Sequence, residues 1–151
     1  MLCCHILLTE LIKLKMHLMD NMVQRISVVE VESITADMLP SSPYCIAIEA
    51  DFEMCGNEAR WALAELLVKT DVMWVAGVGN QSSLLDDDVD MVCVNRQTVV
   101  DNDYIRFPDV MTTWHDDEPL EDVLEFMAIT EFDFKEVWGV SKWDIIAIKV
   151  G

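Results

Sequence analysis

Short, β-rich apolar runs alternate along this chain with stretches whose apolar residues recur every three or four positions, and few folds accommodate such an alternation. Residues 44–50 are apolar except for Glu49, the pattern of a strand buried on both faces. Asn57 then stands where it can cap a helix whose apolar stripe is Ala59, Ala62, Leu63, Leu66 and Leu67. Residues 72–76 repeat the strand pattern and end at Gly77 and Gly79, where the backbone can turn. A second helix is expected over 83–94, with Asp86, Asp87, Asp88 and Asp90 early in it, where negative charge suits the helix dipole.

After a polar connection through Asp101, Asn102 and Asp103, residues 109–114 read as a third strand. Pro119 fits the first position of a helix, Asp117 or Glu118 its cap, and Leu120, Val123, Leu124 and Met127 its buried stripe. Residues 143–150 supply a last strand, and 26–31 a short β-rich run ahead of a turn-prone stretch with Pro40, Ser41, Ser42 and Pro43. Strands that alternate with helices pair in parallel through right-handed crossovers. The expected fold is therefore α/β, a three-layer sandwich with a mainly parallel sheet of about four or five strands.

A chain of 151 residues, 52% of them apolar, can bury one core without disulfides or metals. Leu7, Leu11, Leu14, Leu18 and Met22 recur at helical spacing, so residues 1–24 are read as an amphipathic helical extension and 25–151 as a single α/β domain. No apolar run approaches the roughly 18 residues that a membrane-spanning helix needs. The N-terminus lacks a basic region ahead of its apolar stretch and a small-residue cleavage site after it, so a cytoplasmic protein is expected. Five cysteines, none in a C-x-x-C pair, agree with a reducing compartment and offer no zinc-ribbon spacing. Cys45 and Cys93 lie among apolar neighbours and read as core residues, while Cys55, just ahead of a helix start, is the one thiol whose pKa a helix N-terminus would depress.

Twenty-eight acids against ten bases leave a net charge of −18. Such a charge repels phosphate backbones and anionic membranes, so no direct nucleic-acid or membrane contact is expected, while basic proteins and cations are attracted. Parallel sheets bind ligands beyond the carboxyl ends of their strands, which directs attention to three loops. The first holds Asp51 and Glu53, the second Gly77, Gly79, Asn80, Gln81 and Ser82, the third the run Thr112, Thr113, Trp114, His115, Asp116, Asp117 and Glu118. His115 is the sole histidine outside the N-terminal extension. An imidazole flanked by carboxylates suits a general base, with His115 and Asp116 as the catalytic pair, and His115 with Asp51 and Asp87 would supply ligands for Mg²⁺ or Mn²⁺.

The structural alternative has Asp117 or Glu118 capping the helix and His115 on the surface. Asp51, Gly77, Gly79, Asn80, Trp114 and Glu118 are the candidate binding residues. The glycine loop does not complete G-x-G-x-x-G, because position 82 is Ser, and no Gly-Lys-Ser or Gly-Lys-Thr occurs. A turn role for Gly77 and Gly79 is therefore the simpler reading. Of the tryptophans, Trp61, Trp74, Trp138 and Trp143 read as core, and Trp114 as the one able to line a pocket.

The run Val110-Met111-Thr112-Thr113-Trp114-His115-Asp116-Asp117-Glu118-Pro119-Leu120 resembles a family of small uncharacterised bacterial domains, domains of unknown function, in which a T-T-W-H-x-x-E-P-L segment follows a strand and opens a helix. The apolar run at 44–50, the Trp74 strand with its glycine turn and the acidic stretch near Asp86 are similar in order, over roughly residues 43–150. The resemblance implies a shared α/β domain without a named activity, and a joint role for Trp114, His115 and Glu118 in folding or in chemistry.

Three functions follow from these residues. A non-catalytic acidic interaction or accessory domain that binds a protein partner explains the charge and the missing catalytic signatures, and it needs no cofactor. A small metal-assisted hydrolase would use the His/carboxylate cluster at the strand ends. A DNA-mimic inhibitor would line one face with acids at phosphate-like spacing. Missing motifs weigh more than one short His-carboxylate run, so the interaction domain ranks first.

Overall fold

A computed structural model describes residues 7–11, 13, 22–97, 110–129, 134, 136 and 139–151. Five strands are seen among them: β1 (Val23–Val28), β2 (Tyr44–Glu49), β3 (Val72–Val78), β4 (Met111–His115) and β5 (Asp144–Val150). Helix α1 (Asn57–Val68) joins β2 to β3, α2 (Ser83–Gln97) lies between β3 and β4, and α3 (Leu120–Ile129) follows β4. Two single 3-10 turns, Val31–Ser33 and Ala36–Met38, precede β2. The strand order is β1-β5-β2-β3-β4, and every neighbouring pair is parallel. The fold is thus the α/β sandwich expected from the alternation.

Burial follows the strand positions. β3 is buried along its whole length and β2 in all but Glu49, as continuous apolar runs require when both faces are covered. On one face Ile46, Ile48, Val75, Ile146 and Ile148 pack beneath Leu63 and Leu67 of α1 and Leu85, Val89 and Val92 of α2. On the other, Cys45, Ala47, Trp74, Ala76, Ile145 and Ala147 meet Val123, Leu124 and Met127 of α3. Leu67 is wholly buried, and trimming such a residue to Ala costs about 2–5 kcal/mol.

Right-handed crossovers dictate these sides. The steps from β2 to β3 and from β3 to β4 advance in one direction and place α1 and α2 on one face. The step from β4 back to β5 reverses direction, so α3 packs on the opposite face. At the carboxyl ends, the chain leaves β3 toward one face and β4 toward the other. The crevice of an open parallel sheet belongs at such a switch, here between the Gly79–Ser82 turn and the residues after His115.

Several local expectations are corrected. Asn57 does not cap α1: Gly56 is the cap residue, and the Asn57 side chain accepts a hydrogen bond from Arg60. The buried stripe of α1 is Arg60, Leu63, Ala64, Leu67 and Val68, with Ala62 exposed and Ala59 and Leu66 half-buried, because an arginine takes the place that a reading by apolarity gave to alanines. Gly77 lies inside β3, which runs to Val78, two residues beyond the expected strand end. The helix expected over 83–94 continues to Gln97, and β4 runs through His115. Pro119 lies just before α3 and supplies its first carbonyl acceptors, to Asp122 and Val123, with Leu120 half-buried in the stripe.

β1 begins at Val23, so Val23 and Gln24 belong to the sheet. Of the expected N-terminal stripe, Leu7, Leu11 and Met22 are exposed; Leu14 and Leu18 lie outside the described residues. So do Cys3, Cys4, Asp101, Asn102, Asp103, Asp109 and Trp138. No helix among the described residues is long and apolar enough to cross a membrane.

Candidate functional site

The turn after β3 is shaped by two glycines. Gly79 has φ +109°, and a Cβ there would stand 2.4 Å from the Ala50 carbonyl oxygen. Gly77 lets the Ser82 backbone approach to a distance that a Cβ would narrow to 2.9 Å. The Gly79 N–H donates to the His115 carbonyl at 3.0 Å, tying the turn to the end of β4. Asn80 ties it to the β2 loop: its side-chain amide donates to Asp51 Oδ1 at 3.1 Å and Glu53 Oε2 at 3.0 Å, and its carbonyl accepts from Phe52 N–H at 2.9 Å. Gly77, Gly79, Asn80 and Asp51 are thus brought into one set of loop-to-loop contacts.

An anion could be held by the N–H groups that open α2, but the protein places its own carboxylate there. Asp116 Oδ1 accepts from Ser82 N–H at 3.0 Å and from Ser82 Oγ–H at 2.6 Å. The fully buried Ser82 hydroxyl in turn accepts the His115 backbone N–H at 3.0 Å. Asp116 therefore stands at the switch point, and its hydrogen bonds run to Ser82 instead of to the imidazole beside it.

His115 is buried, contrary to a surface placement. β4 is pleated, so its successive side chains face opposite sides of the sheet. Met111 packs in the core under α3, and Thr113 and His115 share that side; Thr112 and Trp114 face α2. Trp74 Nε1–H donates to Thr113 Oγ1 at 3.0 Å, and Thr113 Oγ1 lies 3.0 Å from His115 Nε2. Thr113 Oγ1 thus links the indole of β3 to the imidazole of β4. Glu118 Oε2 lies 3.1 Å from Nδ1 without the alignment of a hydrogen bond. Phe126 of α3 stands edge-on to both His115, at 6.1 Å, and Trp74, at 5.6 Å.

The expected metal set is not brought together. Asp51 faces Asn80 and the Met54 N–H, Asp87 is exposed on α2, and His115 points to the α3 side. Among the described residues no group of three or more His, Cys, Asp or Glu side chains could hold a metal ion. The thiols also differ from one expectation. Burial, and then the neighbouring Glu32, raise the Cys55 pKa where a helix terminus was expected to lower it, and burial pushes Cys45 to about 12. Cys93 is buried, as its neighbours implied.

Two features escaped the sequence reading. A groove of about 360 Å³ lies over the carboxyl ends of β1, β5 and β2 beside the start of α3, lined in part by Arg25, Ser27, Glu49, Glu121 and Lys149. Arg25 donates both terminal nitrogens to Glu121, at 2.6 and 3.0 Å, and Lys149 lies 3.6 Å from Glu49. Its walls come from segments far apart in the chain, and only the lone Lys149 in an apolar run signalled it. The second is Arg60, buried in α1 and bound through Nε to Asp88 Oδ2 of α2 at 2.5 Å.

Asp86, Asp87 and Asp90 of the same helix have no ion-pair partner among the described residues. Asp90 accepts from Thr112 Oγ1 at 3.2 Å, yet burial and the charges of Asp86 and Asp87 raise its pKa. Asp86 Oδ1 is shielded from water and has no hydrogen-bond donor among the described residues.

A family model described as Domain of unknown function (DUF7684) matches residues 24–141. No curated protein and no solved structure matches the chain.

Proposed function

The chain belongs to this family of domains of unknown function, and from the geometry of its own residues we propose that it is a non-catalytic, acidic interaction domain that binds a basic protein partner. One contrast carries the reading: Asp51, Glu53 and Asp116 at the strand ends are held by loop-to-loop hydrogen bonds, while Asp86, Asp87 and Asp90 of α2 stand close together with no basic partner among the described residues. Asp51, Glu53 and Asp116 each accept hydrogen bonds within the fold, which suits a structural role better than activation of water. Asp86, Asp87 and Asp90 add local repulsion to a chain already at −18, which a cationic partner would relieve. The same charge argues against nucleic acid and anionic membranes as partners. A cytoplasmic setting accompanies the proposal, supported by the free thiols of Cys45, Cys55 and Cys93.

Thermal unfolding of the full chain tests it, because a ligand that binds only the folded state raises the midpoint. Arginine-rich peptides should raise the midpoint by an amount that falls with added salt, and Mg²⁺, Mn²⁺ and Zn²⁺ should not. A metal-specific rise that is lost in His115→Ala would overturn the proposal in favour of a metal-assisted hydrolase.

A further inference from the structure

We infer that Trp114 of β4, together with Asp86 and Asp90 on the adjoining flank of α2, forms the docking surface for a basic amphipathic segment of a partner protein, an inference that rests on the proposed function above. Among the described tryptophans Trp114 alone is exposed, at 57%. Its position relative to α2 follows from one hydrogen bond and the geometry of the two elements. Thr112 Oγ1–H donates to Asp90, which pairs that strand position with that helix position. Helix and strand run in opposite directions in a parallel α/β unit. Two strand residues rise about 6.6 Å, and four helix residues about 6 Å. Asp86 therefore stands level with Trp114, and Val94, 52% exposed, lies one turn beyond Asp90.

The resulting ridge has an exposed indole at one end, an exposed valine at the other and carboxylates between them. Its chemistry selects the occupant. Asp87 and Asp90 are exposed and Asp86 is half-buried, and no described base pairs with any of the three. An unpaired, partly desolvated carboxylate gains most from a charge-assisted donor. A guanidinium can also lie on the indole face. A helix or extended segment that alternates arginine with an apolar residue would meet both requirements. A second copy of this chain would bring another −18 and is disfavoured by the same charge.

The test uses the full chain and fluorescence anisotropy of a labelled synthetic peptide that presents arginine and leucine on one face. Binding is compared for wild type, Trp114→Ser, Trp114→Phe, the pair Asp86→Asn with Asp90→Asn, and a control pair of equal charge loss on α3, Asp122→Asn with Glu125→Gln. Trp114→Ser should weaken binding about tenfold or more, as expected for a central aromatic anchor. Trp114→Phe should retain part of the affinity, the α2 pair should also lose about tenfold, and the α3 pair should stay within about twofold. Circular dichroism of each variant confirms that the fold is kept. Equal losses for the α2 and α3 pairs would overturn the docking surface and leave the basic-partner reading standing. Failure of wild type to bind any basic peptide at low salt would overturn both.

Discussion

The two flanks of helix α2 carry the same residue type and treat it in opposite ways. On the flank against α1, Asp88 meets the buried Arg60, and their side chains are 16% and 8% exposed. On the flank against β4, Asp86 and Asp90 have no base among the described residues, and burial together with the charge of Asp86 raises the pKa of Asp90. A buried pair holds two helices in register, whereas an unpaired acidic flank leaves its interaction energy available for something outside the chain. The four aspartates within five positions look alike in sequence; helical phase and the neighbouring element separate them.

The sharpest way to break this comparison is to remove the base from the paired flank. Arg60→Met should destabilise the protein by about 3 kcal/mol in urea unfolding, because Asp88 is left charged and largely buried. Adding Asp88→Leu should recover most of that loss. A cost for Arg60→Met no greater than for a surface substitution would mean that the two flanks are energetically equivalent.

Ser82→Ala tests the turn that launches the helix. It removes one hydrogen bond to Asp116 and strips the buried His115 N–H of its acceptor, for an expected loss of about 1–2 kcal/mol. Asp116→Asn retains an acceptor oxygen and should cost less. If the order is reversed, the charge of Asp116 at the helix start matters more than the hydroxyl.

Asp90→Asn should have a smaller effect, and of the opposite sign. A carboxyl whose folded-state pKa is raised favours the protonated form in the fold, so the ionised group opposes folding above that pKa and ceases to oppose it as pH falls through it. The variant should therefore unfold at a higher temperature than wild type near neutral pH, with the difference shrinking on acidification. A difference that does not change with pH would have another origin. Trp114→Ser should change stability least, by no more than about 0.5 kcal/mol in urea unfolding, since the indole is mostly in water. A larger loss would show that the indole supports the fold and is not held out for a partner.

The helix α1 and the strand β4 show where legibility ended. Leu63 and Leu67 were legible as core residues because apolar spacing is a local signal, but Arg60 was not: its burial depends on Asp88, 28 residues away. Likewise T-T-W-H read as one cluster, yet the pleat sends Thr113 and His115 to α3 and Thr112 and Trp114 to α2. The expected His115–Asp116 pair fell apart for the same reason, with Asp116 turning to Ser82 across the switch point.

The sequence by itself determined that strands and helices alternate, that β2 and β3 are buried, and that the sheet is parallel, because these depend on periodicity and on the apolarity of neighbouring positions. Only the tertiary structure decided that β5 enters the sheet between β1 and β2, that Asp116 occupies the start of α2, and that one flank of α2 is paired with a base while the other, against β4, has none among the described residues. Each of these rests on contacts between residues distant in the chain, which become neighbours only when the crossovers choose their faces.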